Sequence, residues 1–126
     1  MVFACLKDGK FHYSGMHQYI LLYRGKKNIV EMIETKGIWL GLTDDITGLN
    51  ENFEFEMESG DIFFLYTDGI TEALDETGKM LGIDRLKDLF HAFSGHPLND
   101  ILTGILAEIN NYETNDDITM LFVKKL

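Results

Sequence analysis

The sequence predicts an α+β fold in which a pair of helices covers one face of an antiparallel sheet. Three observations predict it. The first half is a series of short apolar runs divided by turn signals. Two later stretches carry apolar residues at helical spacing. A further apolar run of strand type follows them. Strands, then two amphipathic helices, then a strand returning to the sheet is the α+β order.

Residues 2–6 and 11–14 are apolar runs that flank Lys7–Asp8–Gly9–Lys10. Asp8–Gly9 predicts a tight hairpin between them. Residues 19–23 form the next run, and Gly25–Lys26–Lys27–Asn28 turns it into 29–33. Residues 29–34 alternate imperfectly, which leaves one face wet. Residues 43–52 read as an acidic, polar loop. Phe53, Phe55 and Met57 then alternate with Glu54, Glu56 and Glu58, which predicts a half-exposed antiparallel strand with a solvated glutamate face. Gly60–Asp61 is a turn signal. After it, Ile62–Phe63–Phe64–Leu65–Tyr66 reads as a strand covered on both faces. Glu76–Thr77–Gly78–Lys79 is a polar turn. Asp84 can cap a helix whose apolar positions are Leu86, Leu89, Phe90 and Phe93. Ser94–Gly95–His96–Pro97 breaks it. A second helix carries Leu98, Ile101, Leu102, Ile105, Leu106 and Ile109 on one stripe, and Asn110–Asn111 ends it. In the last strand Ile118, Met120 and Phe122 alternate with Leu121 and Val123, so both faces are apolar and the strand is expected inside the sheet.

With 126 residues the chain is one domain by length, and its 45% hydrophobic and 25% charged residues are those of a globular core. Lys plus Arg number 11 against 21 Asp plus Glu, a formal net charge of −10. That balance argues against nucleic acid, whose phosphates need cations, and against an anionic membrane surface. It also means that a phosphorylated substrate needs bound metal to offset the repulsion. The lone Cys5, in an apolar run, reads as a buried, inert thiol, and one cysteine forms no internal disulfide, which points to a reducing, cytoplasmic compartment. No apolar run approaches transmembrane length and no signal-peptide pattern is present. His12, His17, His91 and His96 lack zinc-type spacing, so structural or surface roles are expected. No EF-hand register and no Gly-rich phosphate loop can be drawn.

Two acidic stretches border buried strands. Asp68–Gly69 follows the run at 62–66, and Asp116–Asp117 precedes the run at 120–123. Alone, Asp68–Gly69 is also an ordinary turn dipeptide. If the two strands are antiparallel neighbours, the carboxylates share one edge of the sheet. Gathered carboxylates repel each other, and a cation is the usual reason to gather them. Oxygen ligands without His or Cys favour Mg²⁺ or Mn²⁺ over zinc.

The segment Gly60–Asp61–Ile62–Phe63–Phe64–Leu65–Tyr66–Thr67–Asp68–Gly69–Ile70–Thr71–Glu72–Ala73 resembles the central signature of the SpoIIE-like branch of the metal-dependent PPM/PP2C serine/threonine phosphatases. Asp116–Asp117–Ile118–Thr119 resembles the C-terminal signature of that family at the expected distance. Ser14–Gly15–Met16–His17 is similar to its Ala-Gly-His segment. Gly37–Ile38–Trp39–Leu40–Gly41–Leu42 is similar to its Pro-Leu-Gly segment, with Trp39 where proline is usual. The resemblance implies an α/β/β/α sandwich of which this chain is the larger, C-terminal part. It implies a protein phosphatase that hydrolyses phosphoserine or phosphothreonine on a bacterial signalling protein of the anti-sigma-factor antagonist type. It implies two Mn²⁺ or Mg²⁺ ions sharing a bridging water. Carried over by position, Asp68 and Asp116 are metal ligands and catalytic residues, Asp117 is a neighbouring or alternative ligand, and Gly69 gives a close backbone approach.

The family begins with a Gly-Asp-Val-Ser-Gly type segment whose aspartate bridges both metals, and nothing here matches it; Asp8 and Asp44–Asp45 have the wrong surroundings. The expectation is therefore a C-terminal portion of a phosphatase domain, with an upstream sensor or receiver domain in the longer protein. Sheet surface exposed by the absent part would favour self-association. The alternative is a non-catalytic interaction module that keeps the fold and an incomplete metal site. A third reading is an acidic α+β domain with accidental motifs, which a separation of Asp68 from Asp116 beyond about 10 Å would support, since ligands of one metal must meet.

Overall fold

The structure, a computed structural model, describes residues 2–5, 10–37, 45 and 51–126. The expected turn at Asp8–Gly9, the Cys5 side chain, residues 38–42 of the Gly37–Leu42 segment, and Asp44 with most of the acidic loop lie outside the described residues.

Among the described residues, seven strands form two antiparallel sheets. β1 (Val2–Cys5), β2 (Lys10–Ser14) and β5 (Asn52–Glu56) make one, in the order β1-β2-β5. β3 (Ile20–Arg24), β4 (Ile29–Ile33), β6 (Ile62–Tyr66) and β7 (Met120–Lys124) make the other, in the order β4-β3-β6-β7. The helices are a single turn, α1 (Asp68–Thr71), then α2 (Gly82–Phe93) and α3 (Leu98–Ile109).

Side-chain alternation along β3 and β6 builds three layers. Ile20, Leu22 and Phe63 point at the smaller sheet and pack with Phe11, Tyr13, Phe55 and Met57. Leu21, Tyr23, Ile62, Phe64 and Tyr66 point the other way and pack under Leu86, Leu89, Phe90, Ile101, Ile105 and Ile109. The predicted α+β class and the helix pair on a sheet face are both present. Aromatic rings fill each layer. Phe64 stacks on Phe122 at 4.3 Å, and Phe11 stacks on Phe55 at 5.3 Å while meeting the edge of Phe63 at 5.1 Å. Each such buried side chain contributes about 1.5–3 kcal/mol of transfer free energy.

The outward face of the smaller sheet is wet. Across the β2–β5 register Lys10 pairs with Glu56 at 3.2 Å, and His12 meets Glu54 at 3.5 Å. The glutamates of β5 form the solvated face that their alternation predicts.

Three expectations are corrected. β7 pairs with β6 alone among the described residues, so it is the outermost strand of its sheet there, and Leu121 is 52% exposed. Asp84 is not the cap of α2. The helix begins at Gly82, whose φ of +74° turns the chain into it, and Asp84 lies in its first turn. On α3 the buried line is Ile101, Ile105 and Ile109, spaced by four, and Leu106 is 40% exposed. The stripe is narrower than the apolar pattern.

Candidate functional site

β6 and β7 are antiparallel neighbours, with Tyr66 opposite Met120. The end of one and the start of the other therefore share an edge. Thr67 continues the pairing: its N–H donates to the Thr119 carbonyl at 3.1 Å. β6 then turns into α1. Asp68 is the first residue of that helical turn and is exposed, whereas Gly69 is buried. Asp116 and Asp117, in the loop before β7, are both exposed.

Gly69 joins the two acidic segments. A Cβ on this residue would lie 2.7 Å from the Asp117 carbonyl oxygen and 3.0 Å from that of Asp116. Only a residue without a side chain allows this approach. So the backbone beside Asp68 touches the backbone of Asp116–Asp117. The structure brings the two acidic segments to one rim through their backbones. Asp116 also accepts the Asp117 N–H on Oδ1 at 2.7 Å, which turns its carboxylate back on its own loop. Gly69, Glu72, Leu74, Met80, Asn115 and Asp116 line a small pocket of about 150 Å³ at this rim.

Carboxylate and carbonyl oxygens are the donor chemistry of a hard divalent cation. In kind, these residues fit Mg²⁺ or Mn²⁺. In number they are a partial shell. Among the described residues no three His, Cys, Asp or Glu side chains gather as a metal-binding group.

The motif around His17 is structural in its contacts. The His17 N–H donates to Thr35 Oγ1 at 2.8 Å, and the Thr35 hydroxyl donates back to the His17 carbonyl. The ring of His17 meets the edge of Tyr66 at 6.4 Å. His91 contacts the Asn28 carbonyl at 2.8 Å and fastens α2 to the β3–β4 turn. Neither histidine reaches the acidic rim through these contacts.

Sequence reasoning treated Gly60–Asp61 as a turn and missed a buried carboxylate. The Asp61 side chain is 3% exposed. It accepts Arg24 Nη1 at 3.0 Å, the Gly25 N–H at 2.9 Å and the Glu58 N–H at 3.0 Å. Burial pushes its carboxyl up, but the Glu58 and Gly25 amides and the Arg24 guanidinium outweigh burial and hold it below the usual carboxylate range. Arg24 also holds Glu31 at 2.8 Å. The signal available was an acid set directly before a wholly apolar strand. This network lines a recess of about 410 Å³ with Lys26, Lys27, Glu56 and Glu58. The five strand residues alone span about 17 Å at about 3.4 Å each, so the network lies at the other end of β6 from Asp68. Most of its charges are paired among themselves, Lys26 with Glu58 at 2.6 Å included, so it braces the fold.

Residues 1–125 match the family model described as Stage II sporulation protein E (SpoIIE). The chain belongs to the SpoIIE family. It is 26% identical over 115 residues to the phosphoserine phosphatase RsbU of Bacillus subtilis (strain 168), covering 89% of this chain and 33% of RsbU. Its fold is similar to the SiaA PP2C domain of Pseudomonas aeruginosa, with a TM-score of 0.77, 22% identity, and coverage of 94% of this chain and 46% of that one. It is also similar to the phosphatase domain of the cell fate determinant SpoIIE from Bacillus subtilis, solved from a Mn-presoaked crystal, at a TM-score of 0.62 and 16% identity over 98% of this chain and 55% of that one. This chain spans between about a third and about half of the length of the relatives it matches. No helix among the described residues is long and apolar enough to cross a membrane.

Proposed function

We propose that this chain is the C-terminal portion of a SpoIIE-type phosphatase domain that removes phosphate from phosphoserine or phosphothreonine on a bacterial cytoplasmic signalling protein. One observation carries the reading. The β6–β7 register and the Gly69 approach bring Asp68 and Asp116–Asp117 to one rim. Asp68 and Asp116 would hold divalent cation, and Asp117 would support or replace a ligand. Bound Mn²⁺ or Mg²⁺, two ions in the complete domain, would supply positive charge for phosphate oxygens and lower the pKa of a shared water. The chain's own residues hold the acids together and admit the substrate at an open edge. With a formal charge of −10, the protein repels a phosphoprotein until its acids are neutralised. A protein of the anti-sigma-factor antagonist type is the substrate class proposed, with a sensor or receiver domain upstream.

The absence of a three-ligand group among the described residues favours a second reading, a non-catalytic interaction module. A Mn²⁺ titration of this chain and of a form extended upstream, followed by phosphoserine-peptide hydrolysis, separates the two. The phosphatase reading expects the extended form to bind Mn²⁺ and release phosphate, and expects Asp68→Asn to abolish both. An extended form that binds no metal and turns over nothing leaves the interaction module.

A further inference from the structure

The rim holds a hydroxyl, that of Thr67, to which the reading of the two acidic motifs gives no role. Thr67 faces Thr119, one step beyond Tyr66 opposite Met120. Its N–H donates to the Thr119 carbonyl at 3.1 Å, so this is a hydrogen-bonded position of the ladder. At such positions opposed residues normally exchange both bonds. Here the return bond goes elsewhere. The Thr67 carbonyl accepts the Ile70 N–H at 3.3 Å, in the turn that starts α1. The Thr119 N–H donates instead to the Thr67 hydroxyl at 2.9 Å. That hydroxyl donates its own proton to the Asp117 carbonyl at 3.1 Å. One side chain thus lets β6 bend into α1 at Asp68 while residues 117–119 stay docked. The Asp117 carbonyl it holds is the oxygen that approaches Gly69.

We propose that Thr67 is the positioning residue for the acidic rim: its hydroxyl sets the approach of Asp116–Asp117 to Asp68 and thereby the affinity for a divalent cation. This rests on the phosphatase reading above. A valine matches threonine in shape but leaves the Thr119 N–H and the Asp117 carbonyl without this partner. A serine keeps both bonds.

The test uses the 126-residue chain with Mn²⁺ as the probe. Dissociation constants are measured by calorimetry for the parent, Thr67→Val and Thr67→Ser. Amide exchange at Thr119 is followed without metal. Thr67→Val is expected to weaken Mn²⁺ binding about tenfold or more, the usual effect of removing an outer partner of metal ligands. It is also expected to speed exchange at Thr119. Thr67→Ser is expected to restore both. Parent-like Mn²⁺ binding by Thr67→Val, unchanged exchange at Thr119, or no rescue by serine overturns the proposal while leaving the phosphatase reading intact. No Mn²⁺ uptake by the parent overturns the proposal for this chain, while the phosphatase reading is judged on the upstream-extended form. Where Thr67→Val does not fold, Thr67→Cys keeps the volume with a weaker donor and is judged by the same criteria.

Discussion

Replacing Asp61 by alanine removes a carboxylate that ties three parts of the chain together at the start of β6. Three donors lose their acceptor: Arg24 Nη1 at 3.0 Å, the Gly25 N–H at 2.9 Å and the Glu58 N–H at 3.0 Å. At about 1.5–3 kcal/mol for a hydrogen bond to a charged group, the three sum to about 4.5–9 kcal/mol. That sum overstates the loss. The bonds are not independent, the Arg24 side chain is 23% exposed, and the recess beside it lets water reach the freed donors. A cost of about 2–4 kcal/mol remains, somewhat below the range of about 3–5 kcal/mol for breaking a fully buried pair. The assay is urea unfolding of both proteins at pH 7. With a slope of about 2 kcal/mol per molar, the middle of the usual urea range, the midpoint falls by about 1–2 M. Acidification gives an independent check of sign. The folded carboxyl of Asp61 titrates below its unfolded value, so the native state binds fewer protons there. The stability it supplies is present above the unfolded pKa of about 3.9 and is lost as pH falls through the lower folded value. The parent should lose stability in that window, and Asp61→Ala should lose less over the same window. A cost under about 1 kcal/mol would mean that Asp61 is an ordinary turn residue, and the bracing network would be refuted.

Gly69→Ala places a methyl 2.7 Å from the Asp117 carbonyl, and because backbone meets backbone no rotamer relieves it. We expect about 1–3 kcal/mol of destabilisation and a loss of Mn²⁺ affinity, measured by melting and calorimetry; a fully parent-like protein would disprove the close approach. Asp68→Asn removes an exposed charge and should leave the melting temperature of the metal-free chain unchanged. It should abolish the stabilisation by Mn²⁺, which at a hundredfold excess over the dissociation constant is about 2.7 kcal/mol in the parent. On α3, Ile105→Ala should cost about 2–5 kcal/mol because Ile105 is wholly buried, whereas Leu106→Ala, at a position 40% exposed, should cost far less. Equal losses in urea unfolding would contradict the placement of the helix face.

The sequence alone determined the class of the fold and the acidic residues of the rim. Apolar period decides which stretches become strands and which become helices, because one face of each must leave water. That is why β6, α2 and α3 were legible. Asp68 and Asp116–Asp117 were visible as acids bordering buried runs, and Gly69 as the residue that permits close approach. Only the tertiary structure decided the rest. The antiparallel neighbourhood of β6 and β7 was a condition in the sequence and is a fact of the register. The edge position of β7 could not be read, because apolar residues on both faces look alike inside a sheet and at its margin. Asp61 looked like a turn residue, since its partner Arg24 lies 37 positions away and the Gly25 amide 36. The clasp made by Thr67 spans 50 residues to Asp117 and 52 to Thr119. Local pattern reports which surface a residue must bury; it does not report which distant donor or acceptor will be there to meet it, and that pairing exists only once the sheets have closed.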